Sequence, residues 1–172
     1  MTNASVDLLA RIAVAVGLEL SVRAYPGGHP IRDAAQVALL AAFRARLHPT
    51  LRWSTEVPLP ILGDLRRWDS VVAGDGWRCG VEAETAPRDW QALAGRIELK
   101  RRDGEVDAVI LVLPETRRAR EFLQAVAGFI PTVFPVPARQ VLARLGEGHD
   151  PGGSGVVVLR SLQVHRPERE RG

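Results

Sequence analysis

One dipeptide, Asp75-Gly76, constrains this chain more than any other feature. It lies inside residues 66–85, RRWDSVVAGDGWRCGVEAET. The favoured two-residue hairpin turn needs positive φ at both central positions, and Asp-Gly supplies it. With those residues as the loop, Gly74 pairs with Trp77, Val71 faces Gly80, Asp69 faces Glu82 and Arg67 faces Glu84. Side chains alternate along a strand, so Arg67, Asp69, Glu82 and Glu84 are expected on one face. Trp68, Val72, Trp77, Cys79, Val81 and Ala83 are expected on the other, as a core.

Like charges opposed across a sheet destabilise it. Asp69, Glu82 and Glu84 on one face therefore ask for an explanation. Hard divalent cations prefer carboxylate oxygens, so Asp69 and Glu82 are candidate ligands for Mg²⁺ or Mn²⁺, with a strand carbonyl and waters completing the shell. The alternative is a solvated polar face on which Arg67 neutralises Glu84. Both readings stay open at this level.

The chain has 172 residues, 46% hydrophobic and 25% charged, which suits one globular domain with a proper core. Its formal charge is +3, too small a balance to mark a strong nucleic-acid binder. Cys79 is the only cysteine, so an intrachain disulfide and a multi-cysteine zinc motif are excluded. Asp7 and Arg11 interrupt the first apolar run, which argues against a signal peptide, and no stretch reads as membrane-spanning. The expectation is a cytoplasmic protein with no membrane partner.

Along the chain, residues 5–16 read as a short helix with Leu8, Leu9, Ile12, Ala13 and Val16 on one stripe. Residues 19–25 alternate as a strand. Pro26-Gly27-Gly28 breaks the chain. Residues 30–47 read as a helix with a broad small-residue face, and residues 51–60 as an edge strand ending in Pro58 and Pro60. If that strand pairs with the one holding Asp69, Glu56 reaches the acidic face. Residues 87–102 read as a helix with Trp90, Leu93, Ala94 and Ile97 buried and with Arg96 and Lys100 on its flank. Residues 106–113 are a near-continuous apolar run, the pattern of a strand covered on both faces. Thr116 caps a helix to about residue 128, opening with Arg117, Arg118 and Arg120, a candidate phosphate contact. A short strand at 132–134, a helix at 138–145, a strand at 156–162 and a disordered tail at 166–172 complete the expectation. There is no G-x-G-x-x-G, P-loop or H-E-x-x-H, and the histidines lack ligand spacing.

The segment DLLARIAVAVGLELSV resembles the closing helix and exit of a Cro/repressor-type helix-turn-helix domain, where T-L-x-R-I-A-x-A-L-G-x-x-L is common. The resemblance implies a regulator whose recognition helix would lie before Met1. The order helix, strand, strand, strand, helix, strand, helix resembles the core of the PD-(D/E)xK nuclease-like superfamily. RRWDSVV sits where that superfamily has its strand-borne Asp, which makes Asp69 the first metal ligand by resemblance. VEAET sits where it has (D/E)-x-K, which makes Glu82 the second ligand, Ala83 a carbonyl donor, and Glu84 the occupant of the lysine position. That lysine normally helps position or activate the attacking water, so Glu84 is the main departure. Lys100 is a substitute only if its helix folds back over the site. More narrowly, EVPLPILGDLRRWDSVV, WRCGVEAET and LKRRDGEVDAVILVLPETRRAR resemble the C-terminal domain of helix-turn-helix regulators of high-GC actinobacteria.

The resulting expectation is an α/β protein with a central mixed β-sheet flanked by helices, PD-(D/E)xK nuclease-like. Residues 1–26 are expected to be a helix-turn-helix remnant, 27–165 the nuclease-like domain and 166–172 a tail. The leading functional reading is a regulatory module associated with nucleic acid and not an efficient enzyme. The alternatives are a Mg²⁺-dependent endonuclease with Asp69, Glu82 and Glu84 in the catalytic site, and a catalytically dead protein-interaction domain. Nucleic acid, bound weakly by this chain alone through Arg117, Arg118 and Arg120, is the expected partner; homo-oligomerisation is left open.

Overall fold

A computed structural model describes residues 6–17 and 30–160. The exit strand expected at 19–25 and the tail at 166–172 lie outside the described residues. A helix α1 (Val6–Ala15) comes first, and α2 (Pro30–Arg44) then precedes the sheet. The strands β1 (Arg52–Pro58), β2 (Arg67–Gly74) and β3 (Trp77–Ala83) follow as an antiparallel meander. The Asp75-Gly76 turn falls where it was expected, with Gly74 paired to Trp77 and Val71 to Gly80. The expectation of positive φ at both central positions is corrected, since Gly76 takes φ +78 but Asp75 does not take positive φ.

From β3 the chain crosses through α3 (Trp90–Asp103) to β4 (Ala108–Pro114), which lies parallel to β3. It then passes through α4 (Arg117–Ala125), α5 (Ile130–Val133) and α6 (Ala138–Gly146) to β5 (Gly155–Leu159), parallel to β4. The sheet has five strands in the order β1-β2-β3-β4-β5, so it is mixed and flanked by helices, as expected at that level. Every residue of β4 is buried, because parallel strands made by helical crossovers are covered on both faces.

Two cores sandwich the sheet. On one side Leu39 and Phe43 of α2 and Val141 and Leu145 of α6 pack on Val72, Cys79, Val81, Ile110 and Val157. On the other, Leu93 and Ile97 of α3, with Ala119 and Phe122 of α4, pack on Trp68, Val71, Val109 and Leu111. The expectation of one buried face and one polar face in the hairpin is therefore corrected: helices cover both.

Local chemistry explains the helix ends. Asp89 accepts from Ala92 N–H at 3.0 Å and caps α3, and Thr116 accepts from Ala119 N–H at 3.2 Å and caps α4. Residues 132–134, expected as a short strand, instead end the single turn of α5. Pro131 sits in its first turn, where the missing N–H costs nothing, and Phe134 N–H closes on the Ile130 carbonyl at 2.8 Å.

Close packing makes two glycines opposite in character. A Cβ on Gly80 would stand 2.7 Å from the Trp68 ring, whereas one on Gly95, inside α3, meets nothing within 4 Å. Gly80→Ala is expected to destabilise the protein by about 1–3 kcal/mol through overpacking. Gly95→Ala is expected to stabilise it by about 0.5–1 kcal/mol. Urea unfolding of both variants beside wild type checks the contrast in sign.

Candidate functional site

The site begins at an interruption in the β1–β2 ladder. Thr55 pairs with Ser70 and Val57 with Trp68, but the intervening Glu56 and Asp69 do not appear as a rung. Glu56 takes φ +50, in the left-handed region that side chains rarely adopt. The alternation reverses across this point. Val72 packs toward α2, whereas Trp68, an even-numbered position on the same strand, packs toward α3. The expectation that Trp68 shares a face with Val72, Cys79 and Val81 is corrected, because alternation holds only while the ladder is unbroken.

Trp68 has no solvent exposure and fills the space over Gly80 and beside Gly104. Its Nε1 is buried with no hydrogen-bond partner among the described residues. The indole forms one wall for Lys100, whose Nζ lies 5.7 Å from a Trp68 ring centroid. The same ammonium donates to Glu82 Oε1 at 2.7 Å and to the Arg67 carbonyl at 2.7 Å. The Lys100 and Glu82 side chains are only 10% and 6% exposed, so this is a buried ion pair between α3 and β3. Burial first, and then the nearby Asp69 charge, raise the Glu82 carboxyl against the pull of Lys100, leaving it at about 7.

Asp69 is placed differently. Its Oδ2 accepts from Ala83 N–H at 2.8 Å. It lines a groove under α2 with Val37, Leu40 and Glu56, and the Gln36 side chain is near enough to favour its charged form. Burial raises its pKa above the ordinary Asp value, against the Ala83 hydrogen bond and the Lys100 charge. The Asp69 charge thus reaches Glu82, but the two side chains leave the sheet on different sides, Asp69 toward α2 and Glu82 toward α3. The expectation that they share one face is corrected, and the interruption at Glu56 and Asp69 is the reason. Glu56 does reach this neighbourhood, as pairing of β1 with β2 required, and meets Arg67 at 3.5 Å.

Glu84 stands apart from the pair. Its Oε1 accepts from Ala86 N–H at 3.0 Å and its Oε2 lies 3.4 Å from Arg96 Nη2. Arg67 therefore faces Glu56 rather than neutralising Glu84. Arg117, Arg118 and Arg120 are exposed in the first turn of α4, with Arg117 bonded to Glu121 at 2.7 Å.

The residue that sequence reasoning left on the flank is Lys100. Trp90, Leu93 and Ile97 recur at three- and four-residue intervals, and the next position on that stripe is Lys100. The signal was present in the periodicity, but a lysine ending an apolar stripe reads as a surface residue unless a buried carboxylate faces it. A second ion network holds α3 in register. Arg66 bridges Asp64 at 2.6 Å and Asp103 at 2.7 Å, and Arg102 also binds Asp103 at 2.7 Å. Those guanidiniums hold the Asp103 carboxyl down at about 2. The loop before β2 is thereby tied to the end of α3, beside the point where Lys100 meets Arg67.

One Asp69 oxygen is engaged by Ala83 and one Glu82 oxygen by Lys100. Among the described residues, no group of three or more His, Cys, Asp or Glu side chains is arranged to hold a metal ion. Also among the described residues, no helix is long and apolar enough to cross a membrane. Comparison with known proteins finds no matching family model, no matching curated protein and no matching solved structure.

The ion pair has a pH signature. Removing Lys100 leaves Glu82 buried without its cation, which raises a folded-state pKa already above the unfolded value of about 4.3. A carboxyl raised in this way binds its proton more tightly in the folded state, so stability falls as pH rises through the interval between the two values. Lys100→Met is expected to cost little at pH ~5 and about 3–5 kcal/mol at pH ~8, the usual cost of breaking a buried pair. Chemical unfolding of variant and wild type at both pH values measures the difference.

Proposed function

We propose that this chain is a PD-(D/E)xK nuclease-like regulatory module of the helix-turn-helix regulator type, associated with nucleic acid and without efficient turnover. The observation that carries the reading is the Lys100–Glu82 pair: the ammonium already supplies the counter-charge that a divalent cation would bring to Glu82. Divergence of Asp69 from Glu82 supports the same conclusion. The order α2-β1-β2-β3-α3-β4 supports the nuclease-like assignment, and the DLLARIAVAVG segment supports the regulator assignment. The reading implies a cytoplasmic protein. Contact with nucleic acid falls to Arg118 and Arg120, exposed at the start of α4, with Arg117 shared with Glu121. Few such contacts and a net charge of +3 imply weak, salt-sensitive binding.

The rival reading is a Mg²⁺- or Mn²⁺-dependent endonuclease using Asp69 and Glu82. One observation favours it: Lys100 brings an amine to the acidic site although Glu84 holds the superfamily's lysine position. In that reading Asp69 and Glu82 would hold the cation and Lys100 would orient the groups around it. A bound divalent cation supplies charge stabilisation and an activated water in phosphodiester hydrolysis.

Two measurements separate the readings. Plasmid and oligonucleotide cleavage with Mg²⁺ or Mn²⁺ is expected to stay at the level of Asp69→Ala, and millimolar Mn²⁺ is expected to leave the melting temperature unchanged. Metal-dependent cleavage lost in Asp69→Ala, with a Mn²⁺-induced thermal shift lost in Glu82→Gln, would establish the endonuclease instead. Gel shifts at rising salt are expected to show weak binding that Arg118→Glu and Arg120→Glu weaken further.

A further inference from the structure

The interruption at Glu56 and Asp69 opens a groove of about 340 Å³ between α2 and β1, on the sheet side away from Lys100. Its middle is apolar. Val37, Leu40 and Ala41 of α2 form one wall and Trp53 of β1 the other. Phe43, fully buried, packs against Trp53 with ring centroids 6.2 Å apart and holds the indole in place. Val37 is 64% exposed, so this apolar wall stands open to solvent instead of being closed into the core. Volume and lining are those of a small-molecule site: a largely apolar cleft with a few convergent polar groups.

The two ends of the groove differ in charge. Gln36 is near enough to Asp69 to act on its charge, so the N-terminal part of α2 lies over the end holding Glu56 and Asp69. Arg44, at the other end of α2, lines both this groove and the adjoining cavity with Leu51 and Trp53, so it lies at the opposite end. Residues 37–44 of α2 separate these ends by roughly 10 Å. The acidic end is only partly compensated. Glu56 meets Arg67 at 3.5 Å in an exposed contact; Asp69 accepts from Ala83 N–H and feels the charge of Lys100, an ammonium already bonded to Glu82. Burial makes the Asp69 charge costly, and an incoming cation offsets that cost.

We propose that this groove binds an amphipathic organic monocation, with its ammonium between Glu56 and Asp69 and its aliphatic or aryl body along Val37, Leu40, Ala41 and Trp53. Charge complementarity chooses the head group, and the apolar walls choose the body. Arg44 sets a further selectivity, because a diamine long enough to span the groove would place its second charge against a guanidinium. The site goes beyond the nucleic-acid reading and does not depend on it, since it needs neither a metal nor the α4 arginines. For a regulatory module it is a place for an effector.

Calorimetric titration of the full chain in EDTA tests this, with phenethylamine and hexylamine as probes. Phenethyl alcohol, 3-phenylpropionate and hexane-1,6-diamine are the comparators. Saturable binding of an amine is expected, at least tenfold tighter than its neutral, anionic or doubly cationic analogue, with quenching of tryptophan fluorescence. Asp69→Asn is expected to weaken it at least tenfold. Ala41→Trp fills the groove and leaves the carboxylates in place. It is expected to abolish amine binding while DNA binding and the response to Mn²⁺ stay as in wild type, so failure here is distinguishable from failure of the nucleic-acid reading. Circular dichroism confirms that each variant is folded. No saturable binding of either amine, equal binding of the alcohol, or binding indifferent to Asp69→Asn would overturn the proposal.

Discussion

The buried pair between Lys100 and Glu82 is the interaction on which the middle of this molecule depends. A carboxylate in the layer between α3 and the sheet is tolerable only with a cation beside it, and a lysine there only with its donors satisfied. Each supplies what the other lacks. Lys100 also donates to the Arg67 carbonyl and lies over Trp68, so one ammonium joins α3 to both β2 and β3. Arg66, bridging Asp64 and Asp103, fixes the same helix end from outside. Trp68 then fits between Gly80 and Gly104 because neither position carries a Cβ.

The missing rung at Glu56 and Asp69 determines what lies on each side of this pair. By reversing the alternation it sends Trp68 into the α3 core and Asp69 toward α2. Two acidic residues that would have shared one pleated face are thereby divided between two environments. Glu82 becomes one half of a closed structural pair. Asp69 becomes the buried end of an open groove. Desolvation raises both carboxyls first; the Asp69 charge adds to it at Glu82, and the Glu56 charge at Asp69.

This division bears directly on function. A site built for turnover keeps its charged groups accessible and directed at one point, whereas here the ammonium and Glu82 are enclosed together. The proposed reading, a nuclease-like module that recognises partners without efficient turnover, rests on that enclosure. The groove beside Trp53 and the exposed first turn of α4 are on separate elements, so a small ligand and a polyanion do not compete for the same residues. Fold alone decides neither role; the side chains at each place do.

The sequence by itself determined the features that rest on neighbours in the chain. The Asp75-Gly76 turn set the β2–β3 register because a two-residue loop leaves little freedom in pairing. The apolar run in β4 and the cap Thr116 were legible for the same local reason, whereas α3, expected from residue 87, starts at Trp90 behind the cap Asp89. A mixed α/β sheet followed from the order of elements. Only the tertiary structure decided which side each acidic residue took. The left-handed backbone at Glu56 interrupts a ladder between strands, and no residue pattern in β2 alone announces it. It decided the role of Lys100 too. The stripe Trp90, Leu93, Ile97 pointed that side chain at the sheet, but burying an ammonium is stable only where a carboxylate and a carbonyl meet it. Those partners, Glu82 and Arg67, come from other strands and are brought there by the packing of α3.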